Sequence, residues 1–366
     1  MKNPFKFGTV VEEPYFMNRV EETQKIKSVL RSDNHLIIIS PRRYGKTSLI
    51  NKVAGSLKRP YIILDLQLIT SPSDFASQLL RRVYKLYPSQ KIKSFIKNFR
   101  IAPVISLNPV SNEIDISYKA TTASSAQTAL EDVLNLLEKL STNKKKLIVI
   151  FDEFQEIKRI STNLDRILRS IIQHHKNINY VFLGSQESLI REIFEKKKST
   201  FYHFGYLFSL GKIPHTDFLK FISENLKVLT SNNDKIAEEI LGITKSHPYF
   251  TQQLAFTVWD LLKKNNKISK PVQSAVEEII KHHDVDYERL WNTINRTDMK
   301  ILIGMSVSDS APLSEEFSRL HDTGPTSTVF SSLKRLTKNG FVIKSASGYE
   351  IDDPFFKEWI RMRRLQ

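Results

Sequence analysis

The stretch LIIISPRRYGKTSLI, residues 36–50, decides the fold of this chain. Four apolar residues are followed by Ser-Pro, two arginines and Tyr-Gly-Lys-Thr, and apolar residues then recur at helical spacing. A phosphate-binding loop requires this order of strand, loop and helix, because glycine lets successive N–H groups point at phosphate oxygens and the helix N-terminus adds its dipole. In such a loop Lys46 reaches the β- and γ-phosphates and the Thr47 hydroxyl ligates Mg²⁺.

The loop departs from the full pattern G-x-x-x-x-G-K-[ST] at its first position. Ser40 stands where the pattern has glycine, whereas Gly45, Lys46 and Thr47 match. A Gly-Lys-Thr match alone also fits an ordinary strand-to-helix turn with a basic rim. The rest of the chain has to decide between these two interpretations.

The composition is that of a globular protein of two or three domains, with 366 residues, 40% of them hydrophobic and 26% charged. The absence of cysteine excludes disulfides and thiolate metal sites. A net charge of +16 favours polyanionic partners such as nucleotides or nucleic acid, although a lysine-rich surface explains it equally well. Without a signal-like apolar region or a bilayer-length apolar run, we expect a cytoplasmic protein with no membrane span.

Four more short apolar stretches alternate with segments of helical periodicity. They are YIILDL at 61–66, LIVIF at 147–151, YVFL at 180–183 and YLFSL at 206–210. This alternation is typical of a parallel sheet covered on both faces. We therefore predict an α/β fold, a P-loop NTPase with a five-stranded parallel sheet. Because ligand sites lie at the carboxyl ends of parallel strands, the loops at Ser40, Asp152 and Ser185 should open on one edge.

An acidic pair ends the third of these strands, 105 residues after Thr47. Asp152 is placed to hold the Mg²⁺ shell and Glu153 to polarise the attacking water as general base. Alone, such a pair is more often a solvent-facing strand end, but its spacing from the loop favours an NTPase. Ser185, after the fourth strand, is placed to contact the γ-phosphate or the water, or is simply a loop serine.

Two arginines, Arg166 and Arg169, lie on the predicted helix before the fourth strand. They either face phosphate in a neighbouring subunit or are solvent-exposed residues of an amphipathic helix. The second alternative is the more common one for arginines in this setting.

The predicted domains are a P-loop core at 1–212, an all-α lid at 213–285 and a winged helix at 286–366. Prolines and the alternation in EIDISY predict a hairpin-like insertion in the core at about 99–120. The winged helix is predicted from three helical segments and a hairpin after Asn339-Gly340.

The third helix of this predicted winged helix covers 326–338. Its 3–4 spacing predicts a buried side made of Val329, Phe330, Leu333 and Leu336. Its predicted exposed side carries Lys334, Arg335 and Lys338, groups that contacts to phosphates and base edges need. A winged helix in a multidomain ATPase also serves for packing or partner docking, so DNA contact and protein docking stay open.

With these residues in place, the chain resembles the archaeal-type ATPase family, a branch of the P-loop signal-transduction ATPases close to the AAA+ group. The resemblance is carried mainly by SPRRYGKTSL, LIVIFDEFQEI and YVFLGSQESL. Weaker matches are Phe16-Met17-Asn18-Arg19-x-x-Glu22, SHPYFTQQLA and the terminal DDPFFKEWI.

The resemblance implies a complete ATP site. Adenine would pack near Asn18 and Arg19, and the helical lid would contact nucleotide through His247 and Pro248. The phosphates would lie on Pro41, Arg42, Arg43, Tyr44, Gly45, Lys46, Thr47 and Ser48. Mg²⁺ would be held by Thr47 and Asp152, with Glu153 as the catalytic acid residue and Ser185 as the first sensor.

Two positions depart from the family pattern. One is Ser40 in place of glycine, and the other is His203, which stands where the family often has an arginine close to the Phe-Gly pair. If that arginine is a finger, its loss slows hydrolysis or makes it depend on a partner, since such fingers are worth about 10³–10⁵ in rate.

The favoured hypothesis is an ATP-binding molecular switch that hydrolyses ATP slowly to ADP and phosphate with Mg²⁺. The alternative is a DNA-binding regulator in which nucleotide is a structural ligand. A third interpretation, based on Ser40 and His203, is a catalytically dead scaffold. Self-association and a protein partner stay open.

Overall fold

The computed structural model describes residues 1–13, 15–17, 19–107, 114–119, 122–308, 310–345 and 348–365. The chain divides into two compact units. The first is Val10–Lys212, and the second combines Met1–Thr9 with Ile213–Gln366.

The first unit contains the predicted sheet. Its strands are β1 (Leu36–Ile39), β2 (Tyr61–Asp65), β3 (Val104–Leu107), β4 (Ile114–Ser117), β5 (Leu147–Asp152), β6 (Ile178–Gly184) and β7 (Tyr206–Ser209). Its helices are α1 (Val20–Arg31), α2 (Lys46–Ser56), α3 (Pro72–Leu86), α4 (Ser89–Ile96), α5 (Ala123–Leu140), α6 (Ile157–Ile160), α7 (Leu164–Ile172) and α8 (Glu187–Phe194).

In the described residues, five of these strands form one parallel sheet in the order β2-β5-β6-β1-β7. This confirms the predicted fold class. The end of β1 at Ile39 is in register with Gly184 of β6 and Ser209 of β7, and Asp65 of β2 is in register with Asp152 of β5. The strands therefore release their loops at a common carboxyl edge.

Alternate residues of β1 pack on opposite faces of the sheet. Ile37 and Ile39 join the core that contains α3, α5 and α7, whereas Leu36 and Ile38 join the core that contains α1 and α2. Since helices cover both faces, every position of this strand must be apolar, which explains its unbroken hydrophobic run.

The insertion predicted at about 99–120 contains an antiparallel hairpin of β3 and β4, with Val104 opposite Ser117. The residues between the two strands, 108–113, lie outside the described residues. The sequence did not single out helix α4, which lies just before this insertion.

The second unit is helical apart from one hairpin in its described residues. Its helices are α9 (His215–Leu226), α10 (Asn233–Thr244), α11 (Pro248–Lys264), α12 (Pro271–Asn292), α13 (Arg296–Val307), α14 (Glu315–His321), α15 (Thr326–Lys338) and α16 (Pro354–Arg364). The hairpin joins β8 (Val342–Ser345) to β9 (Gly348–Ile351). Helix α12 runs without a break through position 285, where the sequence suggested a domain boundary.

The first nine residues belong to the second unit because of their aromatic side chains. The ring of Phe5 lies 5.8 Å from that of Phe221 and 6.2 Å from that of Trp259. Phe7 makes similar edge contacts with Tyr249 and Phe256. Phe5 is buried and Phe7 is partly buried, and burial of one phenylalanine ring is worth about 2 kcal/mol. The segment therefore packs with the helical unit although it precedes the sheet in sequence.

Helix α15 corrects one detail of the predicted winged helix. Phe330 is 52% exposed, whereas Val329, Leu333 and Leu336 are buried as predicted. The buried residues of this helix are Val329, Ser332, Leu333 and Leu336, and Phe330 lies about 100° of helical rotation away from the centre of the face that they form. The core takes Val329, which shares its face with Leu333 and Leu336.

His35, just before β1, occupies a largely apolar site in the first unit. Its ring lies 4.5 Å from that of Phe204, and its Nδ1 accepts a hydrogen bond from the backbone N–H of Tyr180 at 3.3 Å. Burial lowers the pKa of His35 to about 4, and the charges of Arg169 and His175 act in the same direction.

We therefore expect acid to destabilise the first unit partly through His35. Between about pH 6.5 and 4 the unfolded state binds a proton that the folded state does not, so stability falls as the pH falls, by up to about 3 kcal/mol. His35→Gln cannot take up this proton and should flatten the pH dependence of the unfolding free energy, measured by urea denaturation. The exposed His282→Gln is the control, and equal slopes for His35→Gln and wild type would contradict the assignment.

Candidate functional site

The loop between β1 and α2 turns at Arg43 and Gly45, whose φ angles are 64° and 84°. The φ angle of Ser40 is not positive. Its backbone N–H donates a hydrogen bond to the Gly184 carbonyl at 3.3 Å. Its hydroxyl donates to the Pro41 carbonyl at 3.1 Å. The loop therefore does not require glycine at position 40, and the serine there is accommodated without backbone strain.

Lys46 is folded back into the loop. Its Nζ donates to the backbone carbonyls of Ser40 and Pro41, both at 3.0 Å. Burial lowers the pKa of Lys46, while the carboxylates of Glu153 and Asp152 act in the opposite direction. The ammonium group thus lies inside the curve of the loop, close to the acidic pair at the end of β5.

Thr47 follows β1 at the start of α2, and Asp152 ends β5. The two side chains are in contact although β6 lies between β1 and β5 in the sheet. The Thr47 hydroxyl donates to Oδ2 of Asp152 at 2.8 Å. Burial raises the pKa of Asp152, and the hydrogen bond from Thr47 acts against that shift. The two residues predicted to hold Mg²⁺ are therefore neighbours.

The spacing of these two oxygens fits magnesium. Adjacent ligands of an octahedral Mg²⁺ ion with bonds of about 2.1 Å lie about 3 Å apart. Within the described residues, no group of three or more His, Asp or Glu side chains is arranged to hold a metal ion. A magnesium ion here would complete its shell with phosphate oxygens and water, as this ion commonly does.

Glu153 has a left-handed backbone, with φ 50° and ψ 47°. Such a conformation is costly for a residue with a side chain and concentrates at functional sites. The next residue, Phe154, is fully buried against Phe182 and Phe201. This anchor fixes the turn after β5 and directs the Glu153 carboxylate towards the end of β6.

The Glu153 carboxylate is bonded to two side chains through one oxygen. Ser185 donates its hydroxyl proton to Oε2 at 2.5 Å, and Gln155 donates from Nε2 to the same atom. Gln155 also approaches the Ser185 hydroxyl at 3.5 Å. Sequence reasoning did not select Gln155, although it stands two positions after Glu153 in DEFQ.

Arg19 supports the loop from inside the protein. Its side chain is bonded to Glu22 at 2.8 Å and to the carbonyls of Tyr44 and Gly211 at 3.1 and 3.0 Å. Burial lowers the pKa of this guanidinium. The structure thus joins Arg19 to the backbone of the loop, and Asn18, its predicted companion at the adenine, lies outside the described residues.

The other predicted phosphate-binding residues lie on the loop or, for Ser48, in the first turn of α2. Arg42 and Arg43 are exposed, Pro41 is partly buried and Tyr44 is buried. The Ser48 hydroxyl accepts a hydrogen bond from the Val11 N–H at 2.9 Å.

His247 and Pro248 lie in the second unit, at the start of α11. The Nδ1 of His247 accepts from the backbone N–H of Tyr249 at 3.2 Å and caps this helix. Their contact with nucleotide stays a prediction.

Three further residues considered for catalysis lie elsewhere in the first unit. His203 is exposed and stacks on Tyr202, with 3.9 Å between the ring centroids. Arg166 is exposed, whereas the Arg169 guanidinium lies 4.1 Å from the centre of the Phe204 ring. Arg169 therefore has a packing role within this unit.

Comparison with known families agrees with this geometry. The model of an ATPase domain found predominantly in Archaea matches residues 16–254. The chain belongs to this archaeal ATPase family. A winged helix domain matches residues 285–362, so the family resemblance and the C-terminal winged helix are confirmed.

Solved structures with a similar fold include another ATPase and a protein bound to DNA. A Walker-type ATPase of Pyrococcus abyssi aligns over 98% of this chain and 99% of its own, with a TM-score of 0.69 and 17% identity. The ORC1 protein of Aeropyrum pernix, solved in complex with DNA, covers 98% and 97% with a TM-score of 0.50 and 13% identity. At these identities the likeness concerns the fold alone. No curated protein matches the sequence significantly.

The helices of the described residues include none with the length and apolar character needed to cross a membrane.

We expect Arg19→Met to destabilise the first unit by about 3 kcal/mol, because it leaves Glu22 and two backbone carbonyls without their buried cation. Chemical denaturation measures this loss. The control is Arg289→Met, which removes an exposed ion pair of the same i,i+3 spacing with Asp286 and should cost less than about 1 kcal/mol. A similar cost for both variants would show that Arg19 does not support the loop.

Proposed function

We propose that this archaeal-family ATPase is a nucleotide-dependent molecular switch that binds ATP with Mg²⁺ and hydrolyses it slowly to ADP and phosphate. The carrying observation is the 2.8 Å hydrogen bond between Thr47 and Asp152, which joins the phosphate-binding loop to the acidic end of β5. This is the arrangement that Mg²⁺-dependent phosphoryl transfer needs, since catalysis there consists mainly of positioning and charge stabilisation.

The residues of the site divide this work. The backbone N–H groups of the loop and the Lys46 ammonium bind the phosphates, and Thr47 and Asp152 hold the metal ion. When bound, Mg²⁺ neutralises charge on the phosphate oxygens. Glu153 orients and polarises the attacking water, and Ser185 contacts the γ-phosphate.

Two observations support slow hydrolysis. His203, at the position where the resembling family often has an arginine, is exposed and stacked on its neighbour Tyr202. In addition, Ser185 donates its single hydroxyl proton to Oε2 of Glu153 at 2.5 Å, so it does not offer this proton to a phosphate in this arrangement. Turnover would then wait for a partner or a change of state, which is the behaviour of a switch.

The segments proposed to respond to the nucleotide are the two predicted from the sequence, a lid at 213–285 and a winged helix at 286–366. A nucleotide-dependent change in these segments would transmit the state of the site to a partner or to a second copy of the chain.

Two variants test the proposal together. Lys46→Ala should lose ATP binding, because the loop then lacks its only buried cation among the described loop residues, whereas Glu153→Gln should bind ATP and stop phosphate release. Titration with a fluorescent ATP analogue and a phosphate-release assay measure the two effects. Proteolysis should then cut ATP-loaded Glu153→Gln in a different pattern from Lys46→Ala. Tight ATP binding by Lys46→Ala would contradict the proposed site, and identical cleavage patterns would contradict the switch.

DNA binding is a second candidate function, favoured by the exposed side of α15. Ser327, Ser331, Lys334 and Lys338 are exposed at i, i+4, i+7 and i+11. Hydroxyl and ammonium groups in such a row suit contacts with a phosphate backbone. The net charge of +16 and the similar fold of a protein solved with DNA support this candidate.

Arg335 does not belong to this row. Its guanidinium makes two hydrogen bonds to the buried carboxylate of Asp298, at 2.6 and 2.8 Å. Changing Arg335 would leave a buried charge without its partner and would confuse a loss of DNA affinity with a loss of structure.

We therefore expect the double variant Lys334→Ala/Lys338→Ala to weaken binding to duplex DNA and to lower the slope of log K against log[salt] by about 2. Fluorescence anisotropy over a range of salt concentrations measures both. Lys270→Ala/Lys281→Ala removes the same charge from exposed positions of the same unit and is the control. Equal affinity and slope in both double variants would eliminate DNA contact through α15.

A further inference from the structure

Gln155 is a buried polar residue beside the proposed catalytic pair, and its role is not explained by packing. Its side chain is in the short turn Phe154–Glu156 that follows β5, and the residue is only 5% exposed. Its Nε2 donates to Oε2 of Glu153 and approaches the Ser185 hydroxyl at 3.5 Å. The carboxamide thus contacts both proposed catalytic side chains.

Burial of the carboxamide oxygen of Gln155 costs free energy. Oε1 of Gln155 has no hydrogen-bond partner among the described residues, and such a group costs about 1–3 kcal/mol. It lies against Gly184, where an added Cβ would be 3.0 Å from Oε1 and 2.1 Å from Cγ1 of Ile190. The missing Cβ at Gly184 thus makes room chiefly for Ile190, and the Gln155 amide fits beside it. The buried amide oxygen without a partner weakens the core, which suggests a functional reason for the amide.

The number of hydrogen-bond donors on Ser185 and Gln155 indicates this reason. Ser185 has a single hydroxyl proton, which it donates to Glu153 in this structure. A serine that turned this proton towards a γ-phosphate would release the Glu153 carboxylate. The amide of Gln155 carries two N–H groups and can donate to Glu153 and to the serine oxygen at the same time.

We propose that Gln155 is a positioning residue that keeps Glu153 aligned for its water when Ser185 turns to the γ-phosphate. Gln155 holds the same carboxylate oxygen that Ser185 holds in the resting arrangement, so release of the serine does not release the glutamate. The inference rests on the proposed ATPase function and adds to it a residue outside the predicted site.

The test is Gln155→Leu, which keeps the size of the side chain and removes both donors. We expect the rate of phosphate release at saturating ATP to fall about 10- to 100-fold, as misplacement of a catalytic group does. The dissociation constant for the ATP analogue should change less than about twofold, because Gln155 contacts neither the loop nor the proposed metal ligands. The melting temperature should not fall, since the substitution also removes the unpartnered Oε1.

The control is Gln273→Leu, which removes an exposed glutamine–glutamate hydrogen bond at 3.1 Å and should leave the rate unchanged. The double variant Gln155→Leu/Ser185→Ala should lose more activity than either single variant, since in the working arrangement Ser185 acts on the γ-phosphate and Gln155 on the Glu153 carboxylate. A double variant no slower than Gln155→Leu would contradict these separate roles.

A wild-type rate in Gln155→Leu, beside an inactive Glu153→Gln, would overturn this inference and leave the proposed function intact. Parallel losses of ATP affinity and melting temperature would also overturn it, because they would indicate a structural role. A wild-type protein no faster than Glu153→Gln would overturn the proposed function, and this inference with it.

Discussion

The hydrogen bond between the Thr47 hydroxyl and the Asp152 carboxylate connects the start of α2 to the end of β5, across 105 residues of the chain. It forms because β5, β6 and β1 run in the same direction and end at one edge of the sheet. Their direction in turn requires crossover helices, which cover both faces and make every position of β1 apolar. The site is therefore a consequence of the parallel topology.

Burial acts in opposite ways on the two charges at this edge. It raises the pKa of Asp152 and lowers the pKa of Lys46, so each group would lose its charge more readily alone. The carboxylates of Asp152 and Glu153 oppose the effect on Lys46, and Lys46 opposes that on Asp152. Lys46 and the acidic end of β5 thus stabilise each other's charged forms.

Local sequence patterns were sufficient for most of the fold. The five strands, the loop and helix α2 follow from runs of apolar residues and from the Gly-Lys-Thr motif, and all appear where the sequence placed them. The pattern failed at Phe330, because periodicity leaves two adjacent positions as candidates for one buried face. It also gave no indication that the first nine residues pack with the helical unit, since Phe5 and Phe7 have no periodic partner nearby in sequence.

The candidate site, like the fold, was predicted in part from local sequence patterns. The sequence by itself selected Lys46, Thr47, Asp152, Glu153 and Ser185 as candidate site residues, because each lies at the end of an apolar strand or in a motif whose chemistry is local. Only the tertiary structure decided which side chain supports which. The role proposed for Gln155 depends on its contact with Ser185, 30 positions away. That of Arg19 depends on hydrogen bonds to Tyr44 and Gly211, which are 25 and 192 positions away. Such contacts depend on how the strand ends come together in space. The spacing of residue types along the chain does not contain this information.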